Sequence, residues 1–148
     1  MAGQSLPAAF THLGMIQPIT DYLLHKLPDS FKGWTREAVE DYVSFHAAQG
    51  TLKVALQDEH VVAVLVGWRQ MGSEPKEWSW QHSDPAGDHW YWHQFAADCA
   101  LFAMAVAAKF FHDKPESAIL PAIGYRNGKL TTYKKGSMPI YRMASKMI

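Results

Sequence analysis

The chain contains 148 residues, of which 48% are hydrophobic and 19% are charged, and its 14 Lys and Arg are balanced by 14 Asp and Glu. This length suits one domain, and the composition excludes a disordered chain, which has few apolar residues and a large net charge. A single cysteine excludes an intrachain disulfide and a cysteine-based zinc finger. We therefore expect one domain over residues 1–148, with an irregular N-terminal segment at 1–15, located in the cytoplasm.

From the sequence pattern we expect neither an export signal nor a membrane span. Residues 1–16 lack a basic cluster ahead of an apolar run. The longest uninterrupted apolar stretch, 99–108, is about half of the roughly 20 residues that cross a bilayer.

All acidic residues lie at or before Glu116, so the last 32 residues carry a charge of +6. Such a basic end is more often a solvated edge than a polyanion surface, so we expect no membrane partner and place nucleic acid low among candidate partners.

Two helices are predicted at the start of the fold. Apolar residues at helical spacing predict a helix over 18–27, with Pro18 in its first turn. A second helix is predicted over 35–48, where Thr35 caps the start and Gly50 ends the helix.

A hairpin is predicted beyond Gly50, where the apolar period changes from 3.6 to 2. Residues 51–56 alternate as in a half-buried strand, and a polar turn follows at 57–60. The nearly continuous β-branched run at 61–68 predicts a strand covered on both faces.

The second half of the chain is predicted to hold a β-α-β crossover: strand 89–97, helix 98–113 and strand 117–126. The helix is apolar almost all round and rich in alanine, so we expect it to pack centrally against the sheet. Asn127-Gly128 predicts a hairpin turn. Further short strands are predicted near 77–82, at 130–133 and at 140–143. The fold class is therefore α/β (α+β), a single domain with a mixed twisted sheet and a central helix.

This order of elements resembles the GNAT superfamily, the acyl-CoA N-acyltransferases. Two helices precede the hairpin, and the second helix and the hairpin together read REAVEDYVSFHAAQGTLKVALQDEHVVAVLVGW. HWYWHQFAAD then stands where the family has the strand before its central helix, CALFAMAVAAKFF stands at that helix, and SAILPAIGY stands at the next strand. The resemblance covers about residues 16–143 and implies a GNAT-like domain that transfers an acyl group from acetyl-CoA or another acyl-CoA to an amine, with no metal.

The junction between strand and central helix departs from the family. GNAT proteins carry a glycine-rich loop there, whose backbone amides bind the pyrophosphate of the donor. Here residues 95–101 contain neither glycine nor a basic residue, and Asp98 adds negative charge. The resemblance still implies that the two parallel strands splay apart and hold the pantetheine arm by backbone hydrogen bonds. The donor-binding candidates are Gln94, Phe95, Ala96 and Ala97.

Catalytic candidates follow from the same resemblance. In the family a glutamate or a water near this strand takes the proton of the amine, and Glu77 or His93 approximates that position. A tyrosine after the second crossover strand protonates the leaving thiolate, and Tyr133 or Tyr125 approximates that place. Cys99 at the helix start is better interpreted as a small core residue than as a nucleophile.

The residues also leave a non-catalytic interpretation open. An aromatic cluster could line a ligand groove, although a core built from large rings is the better interpretation, and its members are Trp78, Trp80, Trp90, Tyr91 and Trp92. The basic C-terminal segment interleaves cations with rings, as at polyanion sites, although lysines also protect edge strands from aggregation. The alternative function is an interaction module that binds a protein or a polyanion partner through the aromatic face and this segment.

No metal site is predicted. His89 and His93 project to the same side of a strand about 13 Å apart. Histidine nitrogens bind zinc at about 2.1 Å, so the two rings are too far apart to share one ion.

Overall fold

The structure is a computed structural model that describes residues 8–75, 84–126 and 129–133. Its helices are α1 (Ala8–Lys26), α2 (Arg36–Gln49), α3 (Ala100–Asp113) and α4 (Glu116–Ile119). Its strands are β1 (Leu52–Gln57), β2 (His60–Gln70), β3 (His89–Ala97), β4 (Ala122–Arg126) and β5 (Lys129–Tyr133). The strands predicted near 77–82 and at 140–143 lie outside the described residues.

The five strands form one mixed sheet in the order β1-β2-β3-β4-β5. The neighbours pair antiparallel except β3 and β4, which pair parallel. The predicted hairpin of β1 and β2 and the predicted parallel crossover through α3 are therefore both confirmed. The fold class is α/β, with a mixed sheet and four helices in the described part of the chain.

The ends of α2 follow from its sequence. The Thr35 Oγ1 atom accepts a hydrogen bond from the Ala38 amide at 3.1 Å, which satisfies one of the free donors of the first turn. Gly50 ends the helix with φ of 74°, a left-handed conformation that glycine adopts without steric cost.

The first helix begins ten residues earlier than predicted and contains Pro18 in its interior. Proline removes one backbone donor, which is why the sequence predicts Pro18 in a first turn. The turns before Pro18 are held by packing, because Met15 and Ile16 contact the core between the helices and the sheet. Tertiary contact thus outweighs the loss of one helical hydrogen bond.

The expected strand at 117–126 is wrong in its first half. Residues 116–119 form the helical turn α4, in which the Leu120 amide donates to the Glu116 carbonyl at 3.0 Å. The Ser117 hydroxyl donates to the Lys114 carbonyl at 2.7 Å and fixes the start of that turn. Pro121 then precedes β4, and its carbonyl accepts the Trp90 amide at 2.9 Å.

Apolar side chains fill the space on both faces of the sheet. The core under α1 and α2 includes Ile19, Leu23, Tyr42, Val43, Trp68, Tyr91 and Ile123. The core under α3 includes Leu65, Trp90, Trp92, Val106, Phe110 and Phe111. β2 is buried on both faces, as its continuous β-branched run predicts.

The central helix α3 packs against the sheet as predicted, but it is not enclosed. Val106, Ala107, Phe110 and Phe111 are its buried residues, whereas Leu101 in its first turn is 59% exposed. Although its sequence is apolar almost all round, α3 covers the sheet with one side only. In the described part of the chain, no helix combines the length and apolarity that crossing a bilayer requires.

Candidate functional site

The parallel strands β3 and β4 stay paired over a short distance. Their register runs from Trp90 opposite Ala122 to Trp92 opposite Gly124. Beyond that point, the β3 residues 94–97 pair with β2 and with no other strand in the described part of the chain. Each strand of a sheet offers hydrogen-bonding groups along both edges, so the edge of β3 at 94–97 that faces away from β2 has no partner strand among residues 8–75, 84–126 and 129–133.

A β-bulge in β3 lies at the same place. Val66 pairs with Gln94 and Gly67 pairs with Trp92, which leaves His93 as the extra residue of β3. A bulge bends the strand and redirects a side chain, and bulges are frequent next to active sites. His93 is therefore presented at the point where β3 and β4 separate.

The bulged histidine is held by a tyrosine from α2. The Tyr42 hydroxyl and the His93 Nδ1 atom form a hydrogen bond of 2.6 Å. Tyr42 is fully buried in the core, whereas the His93 ring is half-buried and packs 4.8 Å from the Trp68 ring. Burial lowers the pKa of His93 to about 4, so the ring is neutral at pH 7.

This geometry assigns different roles to the two ring nitrogens. A neutral imidazole has one donor and one acceptor nitrogen, and the partner of one nitrogen selects the tautomer. When Nδ1–H donates to the Tyr42 oxygen, Nε2 carries the lone pair and is the nitrogen that can accept a proton.

His46 is a second buried histidine in the same aromatic layer. Its ring stacks on Trp68 at 4.9 Å, and its Nδ1 atom bonds to the Thr51 hydroxyl at 2.8 Å. Desolvation is the main cause that lowers the pKa of His46 to about 3, and the nearby His93 adds to it. His46 is 1% exposed, so it supports the site and does not reach a substrate.

The junction between β3 and α3 is formed by Asp98 and Cys99. Asp98 forms an ion pair with Lys26 at 3.0 Å and accepts the Tyr22 hydroxyl at 2.9 Å. The hydrogen bonds from Lys26 and Tyr22 hold the pKa of Asp98 below its ordinary value. Cys99, not Asp98, is the N-cap residue, and it makes no capping bond from its side chain. A paired carboxylate thus lies at the N-terminal end of α3.

The donor-binding candidates lie along the free edge of β3. The side chain of Phe95 is 38% exposed and that of Ala96 is buried, while Gln94 and Ala97 are half-buried. Of the catalytic candidates, His93 lies at the separation of the strands and Glu77 lies outside the described residues.

Tyr133 belongs to β5, where its backbone pairs with Ala122. That position is level with Trp90, three residues before His93, so the backbones of Tyr133 and His93 are about 10 Å apart along the strands. Tyr125 lies in β4, one residue beyond the last β3–β4 pair.

The other sequence candidates take structural positions. Trp90, Tyr91 and Trp92 are core residues, whereas Trp78 and Trp80 lie outside the described residues. Cys99 is exposed, so its interpretation as a core residue is wrong: it lies outside the helix, at its N-cap. In the described ranges no group of three or more His, Cys, Asp or Glu side chains is placed to hold a metal ion.

Sequence reasoning missed Tyr42 as a site residue. Its only signal was a polar hydroxyl on the apolar face of α2, since a buried tyrosine hydroxyl usually has a hydrogen-bond partner.

Comparison of the chain with protein-family models, with curated proteins and with solved structures finds no match.

Proposed function

We propose that the protein is a GNAT-like N-acyltransferase that uses an acyl thioester of the acyl-CoA type. The observation that carries this proposal is the separation of the parallel strands β3 and β4 at the bulge occupied by His93. The free edge of Gln94–Ala97 gives a thioester arm backbone partners beside a neutral histidine.

The chemistry assigned to the site is an addition followed by an elimination. His93 Nε2 takes a proton from the acceptor amine, and the amine nitrogen attacks the thioester carbonyl carbon. The C–N bond forms, the C–S bond breaks, and the sulfur leaves as a thiolate that takes up a proton. Tyr42 orients the histidine through Nδ1. General base catalysis of this kind contributes about 10²–10⁴-fold to a rate.

The donor is recognised through its pantetheine arm and not through its diphosphate. Asp98 and its partners Lys26 and Tyr22 occupy the N-terminus of α3, where a family member would bind pyrophosphate. The negative charge of Asp98 opposes a second anion there. We therefore expect S-acetyl-pantetheine, which has no diphosphate, to serve as well as acetyl-CoA.

The test measures thiol release with acetyl-CoA and with S-acetyl-pantetheine against a panel of primary amines. We expect kcat/KM values for the two donors within about tenfold of each other, and a loss of about 10²-fold or more in the His93→Gln variant. The matched control is His112→Gln, because His112 is exposed near the C-terminal end of α3. A His93→Gln variant with unchanged thiol release would contradict the assignment.

A non-catalytic interaction module is the second candidate function. Asp98 favours it, since the paired carboxylate takes the place of the phosphate site. The rings of Trp90, Tyr91 and Trp92 are buried, so a protein partner would contact exposed apolar residues near the junction, such as Phe95 and Leu101. Absence of thiol release with every donor and amine, together with an unchanged melting temperature in millimolar acetyl-CoA, would favour this candidate.

A further inference from the structure

A cleft lies at the end of the sheet where β1 begins, β2 ends and β3 begins. Its volume is about 360 Å³, within the range of about 300–1,000 Å³ that small-molecule sites span. Its walls include Gln49 at the end of α2, Arg69 near the end of β2 and Trp90 at the start of β3. This cleft is separate from His93, whose contacts are Tyr42 and Trp68 on the α2 face.

Four charged side chains of both signs line the cleft: Arg69, Lys114, Asp84 and Glu116. All four are half-buried. Among the residues that the structure describes, no ion pair joins these cations to these carboxylates. Half-buried charges that do not neutralise one another are costly unless a ligand or water satisfies them.

Arg69 and Asp84 are held in place by the backbone. The Arg69 Nε atom donates to the Gly87 carbonyl, and the Asp84 amide donates to the Arg69 carbonyl at 2.8 Å. The Asp84 Oδ1 atom accepts the Ala86 amide at 2.9 Å. The Arg69 terminal amino groups and the second carboxylate oxygen of Asp84 make no further bond within the described residues, and both side chains are fixed before any ligand arrives.

Lys114 and Trp90 also line the cleft. The Lys114 side chain crosses Gly50, where an added Cβ would lie 3.3 Å from the Lys114 Cε atom. Trp90 is 1% exposed, and its indole Nε1 donor has no hydrogen-bond partner in the part of the chain that the structure describes. That atom faces Gly67 of β2, so Lys114 is the donor that this wall offers to a ligand.

We propose that this cleft binds a small zwitterion, a free α-amino acid or a similar molecule that carries one carboxylate and one ammonium group. The carboxylate is received by Arg69 and Lys114, and the ammonium is received by Asp84 and Glu116. A ligand that is only anionic meets two carboxylates, and a ligand that is only cationic meets two cations. The C-terminus of α2 at Gln49 adds a partial negative charge that favours the ammonium.

The first test is isothermal titration calorimetry with L-alanine, L-leucine and L-glutamine. Two derivatives of leucine are the matched ligand controls: N-acetyl-L-leucine lacks the ammonium, and L-leucinamide lacks the carboxylate. We expect millimolar or tighter binding of at least one free amino acid and at least tenfold weaker binding when either charge is removed. Absence of binding by all three amino acids, or equal binding of a blocked derivative, would overturn the proposal.

The second test uses variants at the outer wall of the cleft. Lys114→Met and Glu116→Gln should each weaken binding at least tenfold, while Lys109→Met and Asp41→Asn, which change exposed charges on α3 and α2, should leave it unchanged. Circular dichroism confirms that each variant is folded. Unchanged affinity in Lys114→Met would overturn the assignment of the carboxylate. Binding in His93→Gln should equal that of the unaltered chain, which separates this test from that of acyl transfer.

Discussion

Tyr42 and His93 are 51 residues apart in sequence, and one hydrogen bond of 2.6 Å joins them. Tyr42 lies in the core under α2, where its ring also packs 4.8 Å from His46. The bond therefore has two effects. It satisfies a polar group inside an apolar core, and it fixes the His93 ring at the bulge of β3.

Replacing Tyr42 with phenylalanine tests both effects. Tyr42→Phe keeps the ring but leaves the His93 Nδ1 atom without the hydroxyl, so we expect a loss of about 1–3 kcal/mol in the free energy of unfolding. Thiol release should fall as well, because the histidine loses its orientation. Urea unfolding measures the first effect.

The matched control is Tyr22→Phe, which removes a hydroxyl from the surface residue Asp98 and from the Val62 carbonyl. The Val62 carbonyl also accepts the Asp98 amide, so we expect a cost below about 1 kcal/mol. An equal loss of unfolding free energy in the two variants would contradict the claim that the bond from Tyr42 to His93 stabilises the core.

The contact between β2 and β3 depends on a glycine. A Cβ atom added at Gly67 would lie 2.6 Å from the Trp90 Nε1 atom, 2.6 Å from the Trp92 Cε3 atom and 2.9 Å from the Tyr91 carbonyl. Gly67 thus makes room for two indole rings on the α3 face.

Gly67→Ala should therefore destabilise the fold by about 1–3 kcal/mol or more, because overpacking forces rings off their rotamers. Gly14→Ala is the matched control. Gly14 lies inside α1 with no atom within 4 Å of an added Cβ, and alanine there should stabilise the helix by about 0.5–1 kcal/mol. Thermal unfolding of the two variants should shift in opposite directions, and a Gly67→Ala variant as stable as the unaltered chain would contradict the packing described.

The elements that the sequence predicts well are those set by local pattern. Thr35 and Gly50 predict the bounds of α2, and the predicted strand 89–97 has the same ends as β3. The alternation of β3 also predicts that Trp90 and Trp92 share one face, which the core under α3 confirms. Each of these features depends on residues within a few positions of one another.

The features that the sequence does not predict depend on distant contacts. The bulge at His93 exists because β2 and β3 change register, and no residue type near His93 indicates it. The bond from Tyr42 and the ion pair of Asp98 with Lys26 both join residues far apart in the chain. The sequence therefore identified His93 as a candidate but supplied no partner for it, and it gave no sign of the cleft beside Arg69.

At the scale of the whole molecule, the two proposed sites lie on parts of the sheet that are stabilised differently. The His93 site depends on the core under α2, and the zwitterion cleft depends on the ends of α2, β2 and α3. Loss of one site through mutation should therefore leave the other intact, which makes the two proposals separable by experiment.

The stability of the whole fold should depend on pH through the buried His46 and the half-buried His93. Burial lowers the pKa of His46 to about 3 and that of His93 to about 4, from an ordinary value of 6.5. The unfolded chain therefore takes up two protons below about pH 6.5 that the folded chain does not. Their contribution to stability is complete above that pH and is lost as the pH falls through 6 and 5 towards the folded pKa values.

We expect the free energy of unfolding to fall by about 1.4 kcal/mol per histidine for each pH unit in that window. Urea unfolding from pH 7.5 to pH 5 measures the slope. His93→Gln should reduce the slope by the contribution of one proton, about 1.4 kcal/mol per pH unit, because the variant keeps only the His46 imidazole in this layer. The same slope in His93→Gln and in the unaltered chain would show that His93 is not held neutral by the fold.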